Sequence, residues 1–260
     1  MEPALAAIFQ ATEGGVFVAA GIFARVGAAL FLVPGLGERS LSIRIRLAAA
    51  LAITVVLSPL IAPLVPQSPT TPVDLAVMLA AEATCGLVIG FSFRLLVFVL
   101  QTAGMVAAQH ISIAQMFGAG VAPEPEPTIA TLLSMGGIVL MMMAGLHVHL
   151  IASLAGLYEV FPFGRFPLGA DMGQWAVERV SETFELGLTL AAPFVAVGFA
   201  YNLALGALNR AMPQLLVALV GVPFIVWLGM VVLYHIMPAL YGRWSESLQR
   251  VFLDPLGGLG

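Results

Sequence analysis

The chain has 260 residues, of which 60% are hydrophobic and only 9% charged, and its mean hydropathy is +1.04. These values exclude an ordinary soluble domain and indicate a helical protein that is buried in a membrane or in an assembly. The net charge is −4, from 14 acidic and 10 basic residues. The chain has a single cysteine, Cys85, which excludes an intrachain disulfide and a thiolate metal site.

Six apolar runs predict six long helices in chain order. They cover about 15–34, 47–65, 75–100, 130–157, 184–208 and 214–240. At about 1.5 Å of rise per residue, each can cross a hydrocarbon core of about 30 Å. The runs lack two-residue alternation and are rich in Ala, Leu and Met, which argues against strands. A seventh, weaker run at 102–118 is more polar and predicts a helix that does not face lipid.

The positions of the basic residues predict a membrane topology that the number of apolar runs does not fully support. Three arginines lie in the loop 35–46, which places this loop in the cytoplasm and the N-terminus outside. Arg243 and Arg250 favour a cytoplasmic C-terminus, which requires an odd number of crossings. Six clear runs give an even number, so the crossing count stays open. The first basic residue is Arg25, and the absence of a basic N-terminal region argues against a cleaved signal peptide.

Small residues recur at four-residue spacing in two of the runs. Ala20, Ala24 and Ala28 share one face of the first run, and Gly86 and Gly90 share one face of the third. Such faces let helix backbones approach closely. We expect close helix packing at these positions, mainly within the chain.

A group of polar residues and a proline, Asn209, Arg210, Pro213 and Gln214, lies between the last two apolar runs. An arginine at the centre of a bilayer costs about 2.5–3.5 kcal/mol on insertion scales, and a proline kinks or ends a helix. We predict that this group forms a polar clasp that supports assembly, in which Glu82 is the acidic partner of Arg210. The predicted members of the clasp are Glu82, Asn209, Arg210, Pro213 and Gln214. The alternative, held about equal, is that Arg210 reaches water or headgroups at a helix end.

The same stretch resembles a known family. The run Leu203-Ala-Leu-Gly-Ala-Leu-Asn-Arg-Ala-Met-Pro-Gln-Leu215, followed by Gly221-Val-Pro223, is similar to a motif of the FliR family of flagellar type III export-gate proteins. The injectisome relatives of this family are the YscT and SpaR proteins, and the Gly-x-Pro form leans towards the flagellar branch. Further similar positions are Arg25, Pro34, Glu38-Arg39-Ser40, Arg44, Arg46, Glu82, Gly86, Gly90, Gly104, Gln109, Gly145-Leu-His147 and Leu150-Ile151.

The resemblance covers about residues 20–240 and implies a fold and a role. It implies an all-α, single-domain protein over 1–260, with a FliP-like part at about 1–180 and a FliQ-like hairpin at about 181–260. The implied partners are FliP-like and FliQ-like subunits in a hetero-oligomeric gate, FlhB-like and FlhA-like export components, unfolded export substrates and membrane lipid. The implied location is the bacterial inner membrane, in the flagellar basal body.

The segment Gln109–Val121 is the predicted pore plug. Met116 and Phe117 provide adaptable bulk, and the glycines beside them provide backbone freedom. In the family the equivalent stretch enters the channel, so the resemblance implies plug residues at Gln109, Ile111, Ile113, Met116, Phe117, Gly118 and Gly120. From the residues alone, the simpler interpretation is a helix end followed by a surface loop. The family often has Asp-Pro after this segment, where this chain has Pro123-Glu-Pro-Glu-Pro127.

Other features favour simple interpretations. Met135 and Met141-Met-Met143 are expected to be helix-packing residues. His147 and His149 are two apart on a helix and face nearly opposite ways, so no shared metal is expected. No nucleotide motif or catalytic elbow is present, so we expect no enzyme activity, no cofactor and no nucleic-acid partner. An injectisome gate subunit or, less well supported, a secondary transporter are the alternatives, and no internal repeat supports the transporter.

Overall fold

The computed structural model describes residues 2–38, 41–65, 71–112, 128–167, 169–211 and 217–257, and the regular elements within these ranges are all helical. The prediction of an all-α fold is therefore confirmed. The helices are α1 (Glu2–Leu32), α2 (Ile43–Ile61), α3 (Pro72–Ser112), α4 (Thr128–Met143), α5 (Leu146–Val160), α6 (Gly169–Ala211) and α7 (Val217–Leu253), and a 3-10 turn at Ala62–Leu64 follows α2.

Two of the predicted runs are organised differently in the structure. The helix α3 has 41 residues and joins the third run to the first part of the weaker run at 102–118. The run 130–157 is instead broken at Gly145, whose φ of 86° lies in the left-handed region. Because glycine lacks a Cβ, it adopts this conformation readily. The axes of α4 and α5 consequently differ in direction by 71°.

Within the described residues, five helices are long and apolar enough to cross a membrane, or up to six if the bent pair α4–α5 counts as one span. The helix α6 is longer than its predicted apolar run because it begins at Gly169 and includes the polar stretch before Glu185. Proline is tolerated within three of the helices, at Pro59 in α2, at Pro193 in α6 and at Pro223 and Pro238 in α7.

The chain forms two compact units, neither of which is continuous in sequence. The first unit contains Met1–Arg94, Met141–Glu178 and Gln249–Gly260, and the second contains Leu95–Leu140 and Arg179–Leu248. Because α3, α4, α6 and α7 each contribute to both units, this division does not follow the order of the chain. The predicted separation into two parts near residue 180 stays a prediction.

In the first unit, α1 and α3 approach closely at Gly86 and Gly90. A Cβ at Gly90 would lie 2.7 Å from the carbonyl oxygen of Ala29, and a Cβ at Gly86 would collide with the carbonyl group of Arg25. Only glycine therefore allows this approach of the two backbones. Fully buried side chains of Ile22, Leu30, Ile89, Phe93, Leu146 and Leu150 fill the interior around it.

In the second unit, the C-terminal part of α3 is contacted by three other helices. The backbone of α4 meets α3 at Gly104, where a Cβ would collide with Ala130. From α7, the buried Trp244 donates its indole N–H to the carbonyl oxygen of Leu96 at 2.8 Å. From α6, Gly187 faces Thr102, whose Cβ would lie 3.0 Å from an added Cβ.

Candidate functional site

The most unusual chemical feature of the described residues is a fully buried ion pair in the first unit. Arg25 on α1 donates from Nε to Glu82 Oε2 at 2.8 Å and from Nη2 to Glu82 Oε1 at 3.0 Å, with both side chains 0% exposed. This two-bond geometry is the strongest form of an arginine–carboxylate contact. The pair joins α1 to α3 beside the close approach at Gly86.

The last turn of α5 and the segment that follows it complete the set of contacts to this pair. Glu82 Oε1 also accepts the backbone N–H of Gly164 at 2.7 Å, and Glu82 Oε2 accepts the hydroxyl of Tyr158 at 3.2 Å. Arg25 Nη2 donates in addition to the carbonyl oxygen of Phe161 at 3.2 Å. The guanidinium carbon lies 3.6 Å from the centre of the Tyr158 ring, a cation–π contact. We call these five residues the buried charge cluster.

Local structure explains why the backbone reaches Glu82. The helix α5 ends at Val160, and Gly164 has a φ of 76°, which turns the chain back towards α3. Phe163 stacks near Tyr158, with ring centres 6.2 Å apart, and its ring fills the space left by Gly21. The carbonyl of Arg165 then accepts from Cys85 Sγ at 3.7 Å.

The buried charge cluster is suited to holding α1, α3 and the end of α5 together. A charge taken out of water costs several kcal/mol unless it is paired and hydrogen-bonded. Glu82 accepts four hydrogen bonds and Arg25 donates three, while Arg25 Nη1 has no partner among the described residues. No group of three or more His, Cys, Asp or Glu that could hold a metal occurs in the described part of the chain.

A second ion pair holds the segment between α1 and α2. Arg94 Nη1 donates to Glu38 Oε1 at 2.6 Å, and Arg46 Nη2 donates to the carbonyl oxygens of Gly37 and Glu38 at 3.3 and 3.0 Å. This pair is partly exposed, with side-chain exposures of 24% and 32%, so water and salt screen its attraction more than that of the buried pair.

The predicted pairing of Glu82 with Arg210 requires correction. Both carboxylate oxygens of Glu82 are bound by Arg25, Tyr158 and Gly164. The reason is physical, since the cluster satisfies Glu82 with four donors inside its own unit. Arg210 is exposed on the last turn of α6. Asn209 is helical, but its side chain is not described, and Pro213 and Gln214 lie outside the described residues.

Most of the predicted plug lies outside the described residues. Gln109 is exposed near the end of α3, and Ile111 is helical without a described side chain. The residues outside the described ranges are Ile113, Met116, Phe117, Gly118 and Gly120. Of the methionines expected to pack, Met141 is fully buried, whereas Met135 and Met143 are 63% and 79% exposed on this chain.

Sequence reasoning missed three members of the buried charge cluster and found two. The charges of Arg25 and Glu82 are visible in the sequence, because both residues lie within apolar runs, but the sequence does not show that they pair. Phe161 and Gly164 act through their backbone, which side-chain patterns do not reveal. Tyr158 could have been suspected, because a buried tyrosine hydroxyl needs a partner.

Comparison with known proteins finds relatives that match nearly the whole chain. The family model described as bacterial export proteins, family 1, matches residues 16–251. The flagellar biosynthetic protein FliR of Caulobacter vibrioides is 35% identical over 242 residues, which cover 93% of this chain and 96% of that protein. The FliR proteins of Escherichia coli and Aquifex aeolicus are 30% and 27% identical, and each alignment covers 88% of this chain and 87% and 88% of the relative. The chain therefore belongs to family 1 of the bacterial export proteins and to the FliR family of flagellar biosynthetic proteins.

Proposed function

We propose that this chain is a subunit of a flagellar type III protein export gate, where it forms part of the channel entrance and supplies its plug. The observation that carries the proposal is the match to one export family over residues 16–251, together with full-length relatives named as flagellar biosynthetic proteins. We place the gate in the bacterial inner membrane, within the flagellar basal body.

The surface of the chain supports a role in an assembly. Large apolar side chains are exposed on several helices, among them Val55 on α2, Phe199 on α6 and Tyr234 on α7, at 71%, 63% and 78%. Apolar surface of this extent is stable only against lipid or other protein. The partners that fit the proposal are FliP-like and FliQ-like subunits, with FlhB-like and FlhA-like components, lipid and unfolded substrates around them.

The proposed mechanism is mechanical rather than catalytic. An unfolded substrate needs an open channel during export. When no substrate is passing, a plug must close the same channel to ions. Met116 and Phe117 supply bulk that can rearrange, and Gly118 and Gly120 allow the backbone to move aside. The chain carries no nucleotide-binding motif, so the energy for export comes from other components, and no cofactor takes part.

Co-purification tests the gate assignment directly. The chain is co-expressed with the FliP-like and FliQ-like subunits of the same organism, and the complex is purified through a tag on this chain. We expect one stable mixed complex, and a parallel expression without the FliP-like subunit is the control. A monodisperse monomer that takes up solute in vesicles would instead support the transporter.

Ion conductance tests the plug. In the assembled gate, the double variant Met116→Gly/Phe117→Gly should increase ion leakage across the membrane. The control is Met135→Ala, which changes an exposed methionine on α4. Equal leakage in both variants would refute a plug at these residues.

A subunit of an injectisome gate is the second candidate function. The two candidates differ in the mutant strain whose defect the chain is expected to restore. The segment Gly221-Val-Pro223 and the flagellar names of the relatives favour the flagellum. Expression in a strain that lacks its flagellar subunit should restore swimming. Restored secretion through an injectisome without restored swimming would reverse the assignment.

A further inference from the structure

An open groove runs along one face of α6, within the second unit. Its volume is about 520 Å³, and its lining residues belong to α6 except for His110, which lies near the end of α3. At 1.5 Å of rise per residue, the lining part of α6 is about 21 Å long. We call this feature the α6 groove. The lining residues that repeat every three or four positions form one stripe on the helix, and they are Leu188, Ala192, Val195, Phe199 and Asn202.

The α6 groove stays open because α3 packs on a neighbouring face of α6. The two helices approach each other at Gly187 and Gly198, where an added Cβ would lie 3.0 Å and 2.8 Å from side-chain atoms of α3. At 3.6 residues per turn, these glycines lie about a quarter of a turn from the stripe. His110 therefore forms an edge of the groove, while Leu188 and Phe199 on the stripe are 54% and 63% exposed.

The α6 groove is apolar along most of its length and polar at one end. Its polar lining residues are His110 and Asn202. Asn202 is the last lining residue of α6, and His110 contacts α6 at Gly198, about one turn earlier. No acidic residue occurs in 95–112 of α3 or in 186–211 of α6. The polar end thus carries no negative charge from either helix.

An arginine continues the stripe beyond the polar end. Gly206 and Arg210 follow Asn202 at four-residue spacing and therefore lie on the same face of α6. A Cβ at Gly206 would meet no described atom within 4 Å, so the helix surface is open there. A helical side chain covers the turn that precedes its own Cα, and the exposed Arg210 can reach across Gly206. Arginine is well suited to binding a phosphate group.

The position of the α6 groove suits a lipid. The candidate membrane span Met172–Leu208 includes every lining residue of α6. One leaflet of hydrocarbon is about 15 Å deep, half of a core of about 30 Å, so one extended acyl chain fits lengthwise on a stripe of about 21 Å. The apolar stripe, the polar end and the arginine follow each other in the same order as the acyl chain, the ester linkage and the phosphate of a phospholipid.

We propose that the α6 groove binds one phospholipid with an anionic headgroup, whose acyl chain lies on the stripe from Leu188 to Asn202 and whose phosphate is bound by Arg210 across Gly206. This proposal rests on the membrane location in the proposed function, but not on the plug or on the partner subunits. Charge complementarity favours an anionic occupant, because Arg210 forms no ion pair with any described residue.

Lipid retention by the full chain tests the proposal. The chain is purified in nonionic detergent, incubated with phosphatidylglycerol or with phosphatidylcholine of the same acyl chains, and analysed by native mass spectrometry. We expect one retained phosphatidylglycerol, bound about fivefold more tightly than phosphatidylcholine, which is the effect of one arginine near an anionic surface. Equal retention of the two lipids would overturn the proposal.

The variant Arg210→Gln tests the headgroup contact. The matched control is Arg243→Gln, at an exposed arginine on α7. We expect Arg210→Gln to lose the preference of about fivefold for phosphatidylglycerol and to retain phosphatidylcholine like the wild type. The control should keep the preference. The same loss in both variants would show a general effect of charge and overturn the role of Arg210.

The variant Ala196→Trp tests the acyl-chain site, because its indole would fill the α6 groove at an exposed lining residue. The matched control is Ala200→Trp, at an exposed position of α6 outside the groove. We expect Ala196→Trp to lose most of the retained lipid of both kinds and the control to lose none. Thermal unfolding in detergent checks that both variants are folded. Equal retention in the two variants would overturn the groove as the site.

Recovery of the mixed complex separates the lipid site from the proposed function. If the wild type retains phosphatidylglycerol but never co-purifies with FliP-like and FliQ-like subunits, the gate assignment fails and the lipid site stands. If Ala196→Trp prevents co-purification while its lipid retention equals that of Ala200→Trp, the α6 groove is instead an interface with another subunit. That result would overturn the lipid site and support the gate.

Discussion

Arg25 and Arg210 lie in similar apolar surroundings in the sequence, but the fold treats them in opposite ways. Arg25 is 0% exposed and is bound by Glu82, the Phe161 carbonyl and the Tyr158 ring. Arg210 is exposed on the last turn of α6, where a positive charge interacts favourably with the helix dipole. The comparison shows that one charge in an apolar run is part of the internal structure, while the other is available to the surroundings.

The difference in burial also predicts how much each arginine contributes to the stability of the chain. Removing a partner of a buried pair leaves an uncompensated charge, so Arg25 and its partners should control the stability of the chain. An exposed arginine has little effect on stability. Arg210 should therefore matter only where another molecule meets it.

The largest expected effect is that of Glu82→Leu. This change leaves Arg25 buried without its carboxylate and should lower the free energy of unfolding by about 3–5 kcal/mol. Thermal unfolding in detergent measures the loss. The double variant Arg25→Met/Glu82→Leu should recover much of it, because no buried charge remains. A single variant as stable as the wild type would show that the pair is not essential to the first unit.

A smaller loss is expected from Gly86→Ala, which tests the close approach beside the pair. The added Cβ would collide with the Arg25 carbonyl group, so the helix backbones must separate, at a cost of about 1–3 kcal/mol. The control is Gly27→Ala on α1, where an added Cβ meets no described atom within 4 Å. Equal unfolding temperatures for the two variants would contradict this packing.

Tyr158→Phe separates the hydroxyl from the ion pair, because it removes one hydrogen bond and keeps the ring against Arg25. Loss of the hydroxyl that Glu82 accepts should cost about 1 kcal/mol. Chemical unfolding of the purified chain measures this difference. A loss as large as that of Glu82→Leu would mean that the hydroxyl, rather than the ion pair, dominates the cluster.

The smallest effect on the isolated chain is expected from Arg210→Ala. Its free energy of unfolding should stay within about 0.5 kcal/mol of the wild type. Recovery of the mixed complex should fall nonetheless, if Arg210 contributes to a clasp with a sister subunit. Both are measured on the same preparations. Normal recovery of the complex with blocked export would assign Arg210 to substrate passage instead.

The helical class and most helix positions follow from the sequence, whereas the buried charge cluster does not. Long apolar runs indicate segments that are shielded from water, so the long helices can be predicted without a structure. The pairing of Arg25 with Glu82 joins residues 57 positions apart, and no local pattern encodes such a distance. The prediction that Glu82 pairs with Arg210 considers only charged side chains, so it leaves out the backbone groups of Phe161 and Gly164.

The break between α4 and α5 at Gly145 could not be predicted from the sequence for a related reason. The run 130–157 is continuously apolar, and a single glycine within it is compatible with either a straight or a bent path. The hydrogen bond from the indole N–H of Trp175 to the carbonyl oxygen of Leu256 does not follow from the sequence either, since every residue has such a carbonyl oxygen.

The corner at Gly145 has a consequence for sidedness. The helices α4 and α5 have 16 and 15 residues, or about 24 and 22 Å at 1.5 Å per residue, and neither alone covers a hydrocarbon core of about 30 Å. If the pair turns back within the bilayer, the five remaining candidate spans give odd parity. The arginines of residues 35–46 and those near the end of α7 then lie on the same side of the membrane, so one left-handed glycine decides the parity of the spans in the described residues.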